Sequence, residues 1–191
     1  MPKLFSPLTL KDVTLRNRIA MSPMTMYRSR DGLMNDYHVM LLGARAAGGF
    51  GLIFPEQLAI TADGRTSTTC AGIYDDAQFE GLARVTSIVK GMGAVPAIQL
   101  GHTGRKGSLR KPWEGGTQLA AEHPDGWQVV GPSPLAYGGK FTHPVIRCHE
   151  KRFITFIGIM LRLPNARWKL DLSGWSYTLR MDTLAPVSSR R

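Results

Sequence analysis

Gln99 is the residue whose type is most at odds with its surroundings, a primary amide near the end of the apolar run Ala94–Leu100 (AVPAIQL). Buried without a partner, an amide costs about 1–3 kcal/mol, so this one needs a group to bind. Two more apolar runs end in polar residues. Arg18–Met24 leads into Ser22, Pro23, Met24, Thr25, Met26 and Tyr27, and Phe50–Phe54 leads into Pro55, Glu56 and Gln57. Gln99 itself opens the stretch Gln99–Lys106 (QLGHTGRK). Hydroxyls, amides and free main-chain N–H groups at strand ends are the equipment for holding and orienting a ligand. The same Thr25 and Gln99 could instead satisfy backbone groups at a sheet rim. His102, a lone histidine after a strand, reads as structural. Cys70 and Cys148 sit in no motif and read as ordinary thiols, since two cysteines make neither a disulfide framework nor a zinc site.

The elements that must position these residues follow from periodicity. The first fifteen residues alternate around a turn at Lys11-Asp12, which predicts a hairpin. Arg18–Met24 reads as a buried strand stopped by Pro23. Asn35 or Asp36 can cap a helix carrying Val39, Met40, Leu41, Ala44 and Ala47 at helical spacing, ended by Gly48-Gly49. The pattern repeats with strand Phe50–Phe54, then a helix opened by Asp75 or Asp76 with Phe79, Leu82, Val85, Ile88 and Val89 inward, then strand Ala94–Leu100. Continuous apolar strands alternating with amphipathic helices mean an α/β protein with a parallel sheet, either a closed barrel or an open doubly wound sheet. Met24, Met26, Met34 and Met40 read as core residues. From Gly101 to Thr142 the chain is rich in Gly, Pro and isolated aromatics without a period, a candidate lid.

Composition narrows the function classes. At 191 residues and 43% hydrophobic, the chain can bury one ordinary core. It has no apolar run of membrane-spanning length and no secretory signal pattern at Met1–Leu10, so a cytoplasmic protein without a membrane partner is expected. The net charge of +10 invites a nucleic-acid reading, but its distribution argues against one. Residues 1–145 carry 15 basic and 11 acidic side chains, a net of +4, whereas residues 146–191 carry 9 and 3, a net of +6. The basic residues of that last quarter are scattered without helical spacing or aromatic interleaving.

Residues 3–145 resemble the old yellow enzyme family of flavin oxidoreductases, NADPH dehydrogenase type. The resemblance is carried by Leu4-Phe5-Ser6-Pro7-Leu8, Leu15-Arg16-Asn17-Arg18-Ile19, Ser22–Tyr27, Gln99–Lys106, Trp113-Glu114-Gly115-Gly116 and Pro132-Ser133-Pro134. Several spaced motifs in order are strong where one alone is weak. The resemblance implies the N-terminal part, about three βα units, of a TIM (β/α)8 barrel. It also implies FMN as cofactor, NADPH or NADH as hydride donor, and α,β-unsaturated carbonyl compounds as small-molecule substrates. It implies that the main chain of Ser22, Pro23 and Met24 lines the flavin, that the Thr25 hydroxyl tunes its potential, that Gln99 gives its amide to the pyrimidine edge, and that Tyr27 orients substrate. Gln57 falls where the family usually has a small residue beside the ring. Full-length family members are often homo-oligomers.

After Val145 the resemblance stops, where the family continues with a helix, a fourth strand and an HxxHGY or HxxNGY motif. Residues 146–191 are expected to be a non-homologous tail. From Trp168, synonymous codons read in a shifted frame can spell a strand and an HxxHGY motif, so a frameshift product is expected, and the coding DNA tests it. With three strands, open edges and no replacement in the tail, the expectation is an impaired oxidoreductase. The alternative is a non-catalytic fragment binding flavin weakly or not at all.

Overall fold

The computed structural model describes residues 3–148, 168–169 and 176–180. Leu8–Leu10 (β1) and Val13–Leu15 (β2) pair antiparallel with Leu8 opposite Leu15, so the hairpin forms as expected, and Lys11 takes a positive φ of 56° in its turn. The buried strand is shorter than the apolar run: only Ala20–Met21 (β3) pairs. Helix α1, Asp36–Ala47, starts where predicted, with Asn35 as its N-cap in a capping box whose other member is His38. Its inward face matches expectation in part, with Val39 and Leu41 packed against the core. His38, Leu42, Gly43 and Ala46 are buried, while Met40 is 59% exposed and Ala44 and Ala47 face solvent. A polar residue heads the buried stripe, so apolar spacing alone points to a neighbouring one. Of the methionines read as core, Met34 is buried and Met26 packs against the core, whereas Met24 and Met40 are exposed.

Leu52–Ile53 (β4) and Leu58–Ala59 (β5) both lie parallel to Val95–Gly101 (β6), Leu52 opposite Val95 and Leu58 opposite Leu100. From Ile53 to Leu58 the chain takes five steps while β6 takes four from Pro96 to Leu100. The run therefore carries one extra residue, a bulge over Phe54–Gln57. Pro55, which has no N–H to give a ladder, fits this interruption, and the bulge is where Glu56 and Gln57 leave the strand. Helix α2, Gln78–Gly91, begins two residues later than the predicted aspartates: the Asp75 carboxylate accepts from the Ala77 N–H ahead of the helix. Its buried residues are Gln78, Leu82, Val85, Thr86 and Val89. Of these, Leu82, Val85 and Val89 meet Leu42 and Ala46 of α1 and Ile53, Leu58, Ile98 and Leu100 of the sheet in one core, each large apolar side chain contributing about 1.5–3 kcal/mol on burial. Arg16 ties this layer together. Its guanidinium donates to the carbonyls of Ala46, Phe50 and Met92, at the C-terminal ends of both helices.

The sheet corrects one expectation, that of open edges. The sheet runs β3-β4-β6 in parallel, and the far edge of β6 is covered: Ser176–Arg180 (β10) pairs antiparallel with it, Thr178 opposite Gln99, and Trp168–Lys169 (β9) pairs with β10. Part of the tail therefore does cover this edge, because an edge offers backbone groups that any extended segment can satisfy. The rest of the tail lies outside the described residues. The Gly101–Thr142 excursion is ordered by side chains instead of periodicity. The Gln118 amide donates to the carbonyls of Arg105 and Gly107, Ser108 Oγ to Leu119, and Trp127 Nε1 to Asp63. Val130–Gly131 (β7) closes it, parallel to Ile146–Arg147 (β8). No described helix is long and apolar enough to cross a membrane.

Candidate functional site

The C-terminal ends of β3, β4–β5 and β6 converge, as parallel strands with helical crossovers must. A small crevice there is lined by Thr25, Gln57, Ala59, Gly64, Arg65, Thr66, Cys70 and Thr103. Two sequence-predicted residues, Thr25 and Gln57, are thus brought together. Ser22 is exposed, Pro23 half-buried and Met24 51% exposed, which leaves the main chain of that segment open at the rim. Gln99 is half-buried two residues before the end of β6 and does not line this crevice. The Gln57 side chain lies on Gly101, where a Cβ would overlap its amide, so the glycine is what allows the amide to occupy the crevice mouth.

Arg65 forms one wall. Its guanidinium lies 5.8 Å from the Tyr74 ring centre and 5.5 Å from that of Trp127, while Nε donates to Ala62 O and Nη1 to Thr68 O. Cys70 closes the floor. Burial, reinforced by the Glu56 charge, pushes its thiol up from 9.0 to about 12, against the opposing pull of backbone hydrogen bonds from Ser67 and Thr66 and of the Arg65 charge. The thiol is therefore neutral at physiological pH and no nucleophile. His102 is held by structure, as read: Nδ1 accepts from the Gly104 N–H at 3.0 Å and Nε2 lies 3.7 Å from Asp63 Oδ1.

Tyr27 stands beside the crevice, half-buried, with φ of 55°. A left-handed backbone at a tyrosine is strained and persists only where neighbours enforce it. Trp113, from the long excursion, meets the Tyr27 ring edge-on at 5.7 Å, and Arg28 lies over both Tyr37 and Trp113. The excursion therefore reaches the rim, as a lid would. Burial first, then Cys70 and Glu56, raise the Tyr27 hydroxyl above its ordinary 10.0, which favours the protonated form.

The residues that sequence reasoning did not single out are Glu56 and His38. Both side chains are fully buried, with His38 Nε2 3.2 Å from Glu56 Oε1. His38 Nδ1 lies 3.1 Å from both the main-chain N and the Oδ1 of Asn35, while Nε2 faces Glu56 Oε1. Glu56 Oε2 accepts from the Ala71 N–H at 3.2 Å. The signal was a charge at the end of the run Phe50–Phe54, the same anomaly that marks Gln99. Among the described residues there is no group of three or more His, Cys, Asp or Glu able to hold a metal.

With this geometry in hand, the family model described as "NADH:flavin oxidoreductase / NADH oxidase family" matches residues 3–152. The chain belongs to that family, of the old yellow enzyme type. Among solved structures it is similar to morphinone reductase, at 28% identity and TM-score 0.68, covering 83% of this chain and 42% of that one. Morphinone reductase in complex with tetrahydroNAD matches at 28% identity and TM-score 0.69, covering 83% of this chain and 44% of that one. An old yellow enzyme homologue from Zymomonas mobilis matches at 26% identity and TM-score 0.64, over 83% and 43% of the two chains. The chain thus spans less than half the length of these relatives. Its three parallel strands and two covering helices are the first part of a TIM (β/α)8 barrel, without closure.

Proposed function

We propose that this chain carries the first part of an FMN-dependent NAD(P)H oxidoreductase site of the ene-reductase type, acting on α,β-unsaturated carbonyl compounds. The observation that carries the reading is the placement of Thr25, Gln57 and the open Ser22–Met24 main chain at one confluence of parallel strand ends, in a chain of the flavin oxidoreductase family. The side chains of Thr25 and Gln57 can hydrogen-bond the edge of a planar ring laid across the crevice, which is itself too small to enclose one. Donors and acceptors sit at the crevice mouth, and Gly101 leaves Gln57 its room. FMN would supply the hydride chemistry. The Ser22, Pro23 and Met24 main chain would line the ring, the Thr25 hydroxyl would hydrogen-bond it, Gln99 and Gln57 would offer amides to its edge, and Tyr27 would orient substrate with a hydroxyl kept protonated. The NADH-type donor follows the tetrahydroNAD complex of morphinone reductase.

A second reading, a fragment that holds flavin weakly or not at all, is supported by β10. It pairs antiparallel along β6 and sets Thr178 opposite Gln99, on the edge where a barrel would add a parallel strand. Titrating the purified chain with FMN, followed by gel filtration with absorbance in the flavin band, separates the two readings. A protein peak carrying stoichiometric flavin supports the site, and a colourless one supports the fragment.

A further inference from the structure

The buried pair behind Tyr27 has no place in the flavin contacts just described, yet every anchor of the Tyr27 turn leads to it. Arg28 O accepts from Asn35 Nδ2 at 2.8 Å, the Ser29 N–H donates to Thr69 O at 3.0 Å, and Ser29 Oγ lies 3.4 Å from His38 Nε2. Asn35 and His38 are the two halves of the α1 capping box, and Glu56, in the β4–β5 bulge, grips His38 on one oxygen and the Ala71 N–H on the other. Three separate segments meet on one carboxylate, and the Ser29 turn joins them through His38. We propose that Glu56 and His38 are positioning residues for Tyr27, a buried dyad that locks the bulge, the start of α1, the Ser29 turn and the Ala71 loop together and so enforces the left-handed backbone at Tyr27.

A carboxylate fully buried between His38 Nε2 and the Ala71 N–H is an expensive thing to bury, and apolar residues of equal volume often serve a core as well or better. A strained residue one turn away, tied to the pair through Arg28 and Ser29, gives it a purpose. The charged and titratable groups facing Tyr27 are Cys70 from the crevice floor, Glu56 and His38 from behind, and Arg28 beside it. Glu56 acts on Tyr27 through space as well as through the turn, which supplies a readout that a purely structural role would not move.

The inference rests on reading Tyr27 as the substrate-orienting residue, but its test needs no flavin, so failed flavin uptake leaves it answerable. The full chain is titrated spectrophotometrically at the tyrosinate band, with Tyr27→Phe as the difference reference, and amide exchange is followed at Ser29 and Ala71. The parent chain is expected to show Tyr27 ionising above the ordinary tyrosine value. Glu56→Gln, which keeps size and one acceptor, is expected to bring that ionisation earlier and to speed exchange at both amides by about tenfold or more. Should Glu56→Gln fail to fold, Ser29→Ala carries the test, since it leaves Glu56 and His38 in place and should speed amide exchange at position 29. An ordinary Tyr27 titration in the parent, a folded Glu56→Gln chain with Tyr27 and both amides unmoved, or a Ser29→Ala chain with unchanged exchange at position 29 would overturn the proposal.

Discussion

Replacing Cys70 should change how this protein responds to alkali, by an amount set by the crevice floor. The folded thiol is pushed from 9.0 to about 12, by burial first and the Glu56 charge second. In the unfolded chain it returns to the ordinary value. Below about pH 9 the thiol is protonated in both states and contributes no pH dependence. Above that the unfolded thiol ionises while the folded one cannot, so stability falls as pH rises, at about 1.4 kcal/mol per unit, until about pH 12. At pH 10.5 the loss is about 2 kcal/mol, and the full window corresponds to about 4 kcal/mol. Cys70→Ala removes the group and this slope with it. Urea unfolding followed by tryptophan fluorescence at pH 8, 9.5 and 10.5 gives the test. The stability of the parent relative to Cys70→Ala should drop by about 2 kcal/mol between the first and last pH. Parallel curves would show that the thiol is not held neutral by its surroundings, and the description of a non-nucleophilic floor beside Thr25 and Gln57 would fall with it.

Arg16→Ala should destabilise the chain by about 2–3 kcal/mol, because its guanidinium is a charged donor to carbonyls at the ends of both helices; thermal melts read the loss, and Arg16→Lys should recover part of it. Gly101→Ala drives a methyl into the Gln57 amide and should cost about 1–3 kcal/mol; the double variant with Gln57→Ala should regain most of it, and failure to do so would place the clash elsewhere. In flavin-loaded protein, Thr25→Ala should shift the reduction potential by about 10–30 mV, the equivalent of one hydrogen bond of about 0.5–1.5 kcal/mol, and an unmoved potential in a potentiometric titration would count against a flavin contact at Thr25.

What was legible in the sequence is what local physics encodes. The Lys11-Asp12 turn, the Asn35 cap, the glycine stop of α1 and the strand at β6 appear because their signals lie within a few residues of what they control. The α1 face was read in part: Val39 and Leu41 pack against the core, but its fully buried head is His38, whose partner Glu56 lies 18 residues away. The Gly101–Thr142 excursion has no period to read: its order comes from single side chains such as Gln118 and Trp127 bonding to distant carbonyls. The pairing of β10 with β6 is made by backbone groups common to all residues, so nothing in the sequence announces it.

The site was legible to the extent that its residues contradict their neighbours. A polar group placed in an apolar run must find a partner or cost the fold more than most single contacts return, and Gln99 was marked on that ground alone. The same argument applies with more force to Glu56, since a carboxylate is costlier to bury than an amide, and it follows the equally apolar run Phe50–Phe54. The structure shows where that cost is met: His38 Nε2 lies on one oxygen and the Ala71 N–H donates to the other. Gln57 and Glu56 differ in direction. Gln57 ends in the crevice, where an incoming ring can reach its amide, whereas Glu56 points into the protein, where only the protein can meet its needs. That division, set by a single extra residue in the β4–β5 run, is what lets adjacent positions serve binding at Gln57 and positioning at Glu56.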